Sequence, residues 1–153
     1  NQLFALSLTY PVMTLTNEKA RNVFNTCKEK LLTRYGLRTL SKEDKNYIAV
    51  YEGDGFKRDM SYHQGITWVW LLGLYKDAEQ NLINATKETK IKKELQEDYD
   101  KFKINVYNTF KKEVYKEDCI GSISELYNSK PPYKPGGTFS QAWSVSEVLR
   151  IIL

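Results

Sequence analysis

The stretch GSISELYNSKPPYKPGGTFSQAWSVSEVLR, residues 121–150, decides how the rest of the chain is read. It sets one carboxylate, Glu125, in an irregular segment between two segments of helical patterning. Gly121, Ser122 and Ser124 favour a tight turn ahead of Glu125, and Pro131, Pro132, Pro135, Gly136 and Gly137 forbid a helix until Phe139. Beyond that point Gln141, Ala142, Trp143, Val145, Val148, Leu149 and Ile152 recur at helical spacing. Glu125 therefore lies in a loop leading to a buried final helix, a setting that commonly serves a concave site. By residue type alone, an exposed loop carboxylate is the plain reading of such a Glu.

Upstream, residues 90–116 form the longest amphipathic pattern, with Ile91, Leu95, Tyr99, Phe102, Val106, Phe110 and Val114 on one side and polar residues opposite. The string SYHQGITWVWLLGLY, residues 61–75, reads as the opening of a helix that is apolar nearly all round and returns to solvent near Lys76. Residues 37–62 lose the helical period, and Tyr47, Tyr51, Gly53, Asp54, Gly55, Arg58 and Asp59 crowd into a connection of the length that commonly carries function. Before it, Ala20, Val23, Phe24, Cys27 and Leu31 share one helix face, with Thr16 or Asn17 as cap, Glu18 near the N-terminus and Gly36 as the stop. Residues 1–8 make a short apolar segment before Pro11. The β-branched residues never alternate over a useful length, so no strand is expected. The expected architecture is all-α, about five helices with long loops, in a single domain over residues 1–153.

Composition narrows the function classes. A charged fraction of 27% and a hydrophobic fraction of 41% describe an ordinary globular protein. The net charge of +4 comes from dispersed lysines interleaved with acids, as in KETKIKKELQEDYDKFK, which is a solvated face and not a nucleic-acid stripe. Cys27 and Cys119 are far apart, lack metal-like spacing, and suit free thiols in a reducing cytosol; no metal or cofactor is expected, and a cytoplasmic location is. The longest apolar run, residues 68–75, contains Gly73 and is too short to span a bilayer, so no membrane partner is expected. The opening Asn1-Gln2-Leu3-Phe4-Ala5 has no starting Met and reads as part of something longer.

Four segments resemble the glycogen-debranching family, the amylo-α-1,6-glucosidases. Residues 121–125 are similar to a G-S-I-S-E-like segment of that family, and residues 140–147 to an A-Q-A-W-S-V-A-E-like segment opening its last helix. Residues 1–5 are similar to its N-Q-x-F-A segment, and residues 62–68 to a Y-H-x-G-x-x-W-like segment, although Val69 stands where the family usually has Pro. Glucoamylases carry a similar G-S-x-S-E turn, and trehalases a W-R-G-x-x-W turn. The resemblance is strongest over residues 51–73 and 121–150 and weak over residues 75–116.

The resemblance implies a partial α/α toroid, the six-hairpin glycosidase barrel. Twelve helices need roughly 300 residues, so this chain supplies less than half of one. It implies hydrolysis of α-1,6 branch points in an α-glucan, glycogen or limit dextrin, with inversion; Glu125 is the implied general base, and the general acid belongs to polypeptide upstream of this segment. Glu52, Asp54 and Asp59 are the local carboxylates nearest to a substitute. His63, the only histidine, suits capping or packing at a helix start by its chemistry, whereas the resemblance implies a hydrogen bond to a sugar hydroxyl. Trp68 is the candidate sugar-stacking ring and Trp70 is assigned to packing. Gln64 and Gln141 each offer a donor and an acceptor to vicinal hydroxyls, and either equally suits a helix cap. Asp59 reads as a pocket residue paired with Arg58 or a nearby amide, and equally as a plain loop ion pair.

On this reading Glu125, His63 and Trp68 converge on one concavity, and the isolated chain is inactive. It also self-associates through toroid surfaces left bare around Leu71, Leu74 and Trp143. The alternatives are a noncatalytic helical module for dimerisation or partner binding, and a segment of another toroid glycosidase of glucoamylase or trehalase type.

Overall fold

The computed structural model describes residues 1–116 and 120–153; Cys119, read above as a free thiol, lies outside the described residues. In chain order the elements are α1 (Phe4–Ser7), α2 (Glu18–Leu31), β1 (Leu37–Arg38), α3 (Gly55–Tyr62), β2 (Thr67–Trp68), α4 (Leu71–Ala85), α5 (Thr89–Lys116), β3 (Leu126–Tyr127), β4 (Pro135–Gly136) and α6 (Ala142–Ile152). The fold is mostly helical, as expected. The local chemistry at α2 is also as expected: the Asn17 side chain accepts the Lys19 N–H at 2.9 Å, and Glu18 stands in the first turn.

Helix α4 is the centre, touched by α1, α2, α5 and α6. Its Tyr75 ring lies 4.8 Å from Phe24 of α2 and 4.7 Å from Phe102 of α5, so three helices meet on one aromatic cluster. Burial of each such side chain stabilises by about 1.5–3 kcal/mol. Helix α5 covers this core with Tyr99, Phe102, Val106 and Phe110, the face its periodicity predicts. Helix α6 is clamped to α4 by Arg150, which donates to both Asp77 carboxylate oxygens at 2.7 and 2.9 Å. A side chain on Gly73 would overlap the Glu147 carboxylate, so glycine permits this close crossing.

Three expectations are corrected. Helix α4 does not return to solvent near Lys76: Glu79, Leu82 and Ile83 are buried beyond it, because α5 and α6 cover that part of the helix. The Gly55–Tyr62 segment is a helix where a loop was expected. Asp54 caps it by accepting the Lys57 N–H at 2.9 Å, and the helix is only 8 residues long with Phe56 and Met60 exposed, so its signal is short. Helix α2 ends at Leu31, ahead of Gly36. Gly36 instead turns a small hairpin in which Leu32 bridges Leu37, and a side chain there would overlap the Trp68 carbonyl oxygen.

The two-residue strands build an antiparallel sheet in the order β1-β2-β3-β4, with Leu37 opposite Trp68, Trp68 opposite Leu126, and Leu126 opposite Gly136. Strands this short cannot display alternation, which is why the sequence pattern missed them. A second apolar cluster, Ile66, Trp68 and Leu126, forms at this sheet and is joined by Tyr51, Tyr62, Trp70 and Leu71.

One core group departs from the rest. Glu79 is fully buried and neither carboxylate oxygen has a hydrogen-bond partner among the described residues. Burial pushes its pKa up to about 8, opposed by the charge of Lys28 and reinforced by that of Asp98.

Candidate active site

Glu125 immediately precedes β3 and is held by Thr138, two residues beyond β4. Its backbone N–H donates to the Thr138 carbonyl at 2.9 Å, and the Thr138 N–H donates back to Glu125 Oε2 at 2.9 Å. Gly137 makes this possible. Its φ is +72°, and a Cβ there would overlap Glu125 Oε2, so this position needs glycine for both conformation and space. The hairpin is tied to the 47–51 segment by Ser129 N–H to the Ala49 carbonyl at 2.9 Å and by Tyr51 N–H to Asn128 Oδ1 at 2.8 Å. Buried Thr67 and Ser129 hydroxyls, 2.7 Å apart, add a further tie to β2.

The second oxygen of Glu125 faces α3. Tyr62, the last residue of that helix, donates its hydroxyl to Glu125 Oε1 at 2.5 Å. Burial, and then this bond, hold the phenol well above its ordinary range, so Tyr62 stays a donor across the working pH range. Glu125 is 8% exposed, and no ion pair among the described residues includes it. A carboxylate so placed has two fixed donors and no cation to quench it. Each oxygen keeps acceptor capacity for a further proton donor such as water.

Beside Tyr62 opens a cleft of about 350 Å³ whose wall includes His63, Trp68, Trp70, Trp143 and Arg38. The volume falls in the range of small-ligand pockets. His63 caps the C-terminal end of α3, not the start of a helix as expected, because Gly65 and β2 intervene before α4. Its ring lies parallel to Trp68 with centroids 5.9 Å apart. Trp70 and Trp143 stack at 5.3 Å, and Trp143 meets Trp68 edge-on at 6.0 Å. Trp68 is 4% exposed and gives its indole N–H to the Tyr62 carbonyl at 3.1 Å, whereas Trp143 is 43% exposed. The ring with free surface in this wall is thus Trp143, and Trp70, assigned to packing by the sequence, lines the same cleft.

His63 and Trp68 share one concavity, and Glu125 stands behind it, joined through the Tyr62 ring, which lies 5.0 Å from His63 and 4.6 Å from Trp68. Gln141 realises the capping alternative: its side chain accepts the Ala142 N–H at 3.1 Å at the start of α6. Gln64 is half-buried, and its backbone carbonyl accepts the Ile48 N–H at 2.6 Å. Asp59 is exposed on α3, three residues before Tyr62, and enters no ion pair among the described residues, so the pairing expected with Arg58 is not formed. Sequence reasoning did not single out Tyr62 or Thr138. Their neighbours in sequence, His63 and the Gly136-Gly137 pair, were the available signals.

With this geometry in place, the family described as amylo-alpha-1,6-glucosidase matches the chain over residues 1–150. The chain belongs to that family. It is also similar to the glycogen debranching enzyme of Saccharomyces cerevisiae, at 33% identity over 78 residues, covering 47% of this chain and 5% of that protein. The chain thus corresponds to part of a glycogen debranching enzyme domain and is related to glycoside hydrolases. The mostly helical fold is compatible with a fragment of an α/α-toroid glycosidase. Among the described residues no helix is long and apolar enough to cross a membrane, and no His, Cys, Asp and Glu group is arranged to hold a metal ion.

Proposed function

We propose that this chain is the C-terminal segment of a catalytic α/α toroid that hydrolyses α-1,6-glucosidic branch points of an α-glucan with inversion, Glu125 being the general base. The observation that carries the reading is the Glu125 carboxylate, buried beside an aromatic cleft, gripped by two donors and in no ion pair among the described residues. In an inverting hydrolysis the base takes a proton from water as the water oxygen bonds to the anomeric carbon. The bond to the leaving oxygen breaks on the opposite face, and a carboxylic acid about 6.5–9.5 Å away protonates that oxygen. Here Glu125 takes the water's proton. The general acid lies on polypeptide outside this chain, as do the remaining helices of the toroid.

The same reading gives the wall residues their roles. His63 donates to a sugar hydroxyl, and Trp143, backed by the buried Trp68, presents flat surface to sugar C–H groups. Further polar contacts are assigned to Asp59, Gln64 and Gln141, although these three do not line the cleft. The polymer is glycogen or a limit dextrin, and the enzyme works in the cytoplasm. The isolated chain releases no glucose, because one half of the acid–base pair is absent. Of the surface expected to drive its self-association, Trp143 is exposed, whereas Leu71 and Leu74 are half-buried against the core. The test is the anomer first released by the full-length polypeptide from an α-1,6-branched dextrin, followed by proton NMR. β-Glucose is expected, and α-glucose would remove the base role from Glu125.

A further inference from the structure

We propose that Tyr62 is a positioning residue for Glu125, setting the aim of its carboxylate. The inference rests on the general-base reading of Glu125. Tyr62 is immobilised from three directions. Its carbonyl accepts the Trp68 indole N–H at 3.1 Å, its ring packs edge-on against Trp68 at 4.6 Å, and Tyr51 tilts against it at 5.7 Å. Its hydroxyl, the one group left to point outward from this cage, meets Glu125 Oε1 at 2.5 Å. The backbone N–H of Thr138 fixes the other oxygen at 2.9 Å. Two donors on two oxygens define the plane of the carboxylate, which one donor alone leaves free to rotate.

One consequence follows for the reaction. The same tyrosine is wedged between the base and the Trp68–His63 wall, so a sugar ring seated on that wall presses on the residue that aims Glu125. Tyr62 exchanges no proton in this scheme. Its phenol is too weak an acid, and Glu125 alone receives the proton of the attacking water.

Tyr62→Phe keeps the ring and removes only the donor. In the full-length enzyme, on an α-1,6-branched dextrin, kcat should fall roughly tenfold to a hundredfold, the scale of a misplaced catalytic group, with KM changed less than about twofold. Replacing Tyr62 by 3,5-difluorotyrosine, which keeps the ring and the donor, should hold kcat within a few-fold of wild type, and this arm stands if the phenylalanine variant folds poorly. A Glu125→Gln control separates the two readings. If it abolishes turnover while Tyr62→Phe leaves kcat in place, the positioning role is overturned and the base survives. If Tyr62→Phe raises KM alone, Tyr62 is a sugar contact and the proposal is likewise overturned. If Glu125→Gln is fully active, the general-base reading itself has failed, and the positioning role with it.

Discussion

Glu79→Gln should convert a pH-dependent core into a pH-independent one. In the folded protein the Glu79 carboxyl is fully buried, with no partner on either oxygen among the described residues, and holds its proton up to about pH 8, against an ordinary value of 4.5. Between those two values the folded state keeps a proton that the unfolded chain has released. Stability therefore falls as pH rises through this window, and the loss is complete above the folded pKa. At about 1.4 kcal/mol per pH unit the window corresponds to a loss of about 5 kcal/mol. The Lys28 ammonium, paired with Asp98 at 2.5 Å, lowers the Glu79 pKa, and the value of about 8 already includes that effect. Tyr75 and Tyr99, whose phenols are raised by burial and by Glu79, stay protonated throughout and do not contribute. The assay is urea unfolding at intervals from pH 5 to pH 9, comparing midpoints at constant slope. Wild type and variant should be of similar stability at pH 5, and the variant should be the more stable by several kcal/mol at pH 9. Parallel curves across the whole range would refute the reasoning.

Two further outcomes test the site and its surroundings. Gly137→Ala should cost about 1–3 kcal/mol in unfolding free energy, because alanine is strained at φ +72° and its Cβ displaces Glu125 Oε2; turnover in the full-length enzyme should fall with it, and an active, equally stable variant would contradict the packing described. Trp143→Ala should raise KM for a branched glucan by a few-fold to about tenfold, the worth of one stacking contact, with kcat less affected; an unchanged KM would remove Trp143 from the sugar wall.

How much was legible in the sequence depended on whether an element's signal was local or long-range. Helices α2 and α5 announced themselves through long apolar stripes, and the Asn17 cap through its place beside Glu18. Helix α3 was hidden because its eight residues offer little more than one i, i+4 apolar pair, Phe56 and Met60, and that pair is exposed. The sheet was hidden because pairings such as Trp68 with Leu126 join residues far apart in sequence, through strands two residues long. At the site, Glu125 stood out by its Gly- and Pro-rich setting and by family resemblance. The Tyr62 contact spans 63 positions of sequence and has no local signature. The same limit explains the aromatic wall: nothing in the spacing of Trp68, Trp70 and Trp143 says which ring keeps free surface, since that depends on how α6 is drawn onto α4 by Arg150 and Asp77.

The most direct test of the account is the turnover of the full-length polypeptide carrying Glu125→Gln, measured on α-1,6-branched and on linear α-1,4-linked glucans. Glutamine retains the shape of the side chain and an oxygen to accept a hydrogen bond, but it cannot take a proton from water. Glucose release from the branch points should drop by roughly a hundredfold to ten-thousandfold, the usual worth of a general base, while affinity for the branched glucan is retained. Release at the wild-type rate would show that the buried carboxylate beside the aromatic cleft is structural, and would contradict the account at its centre.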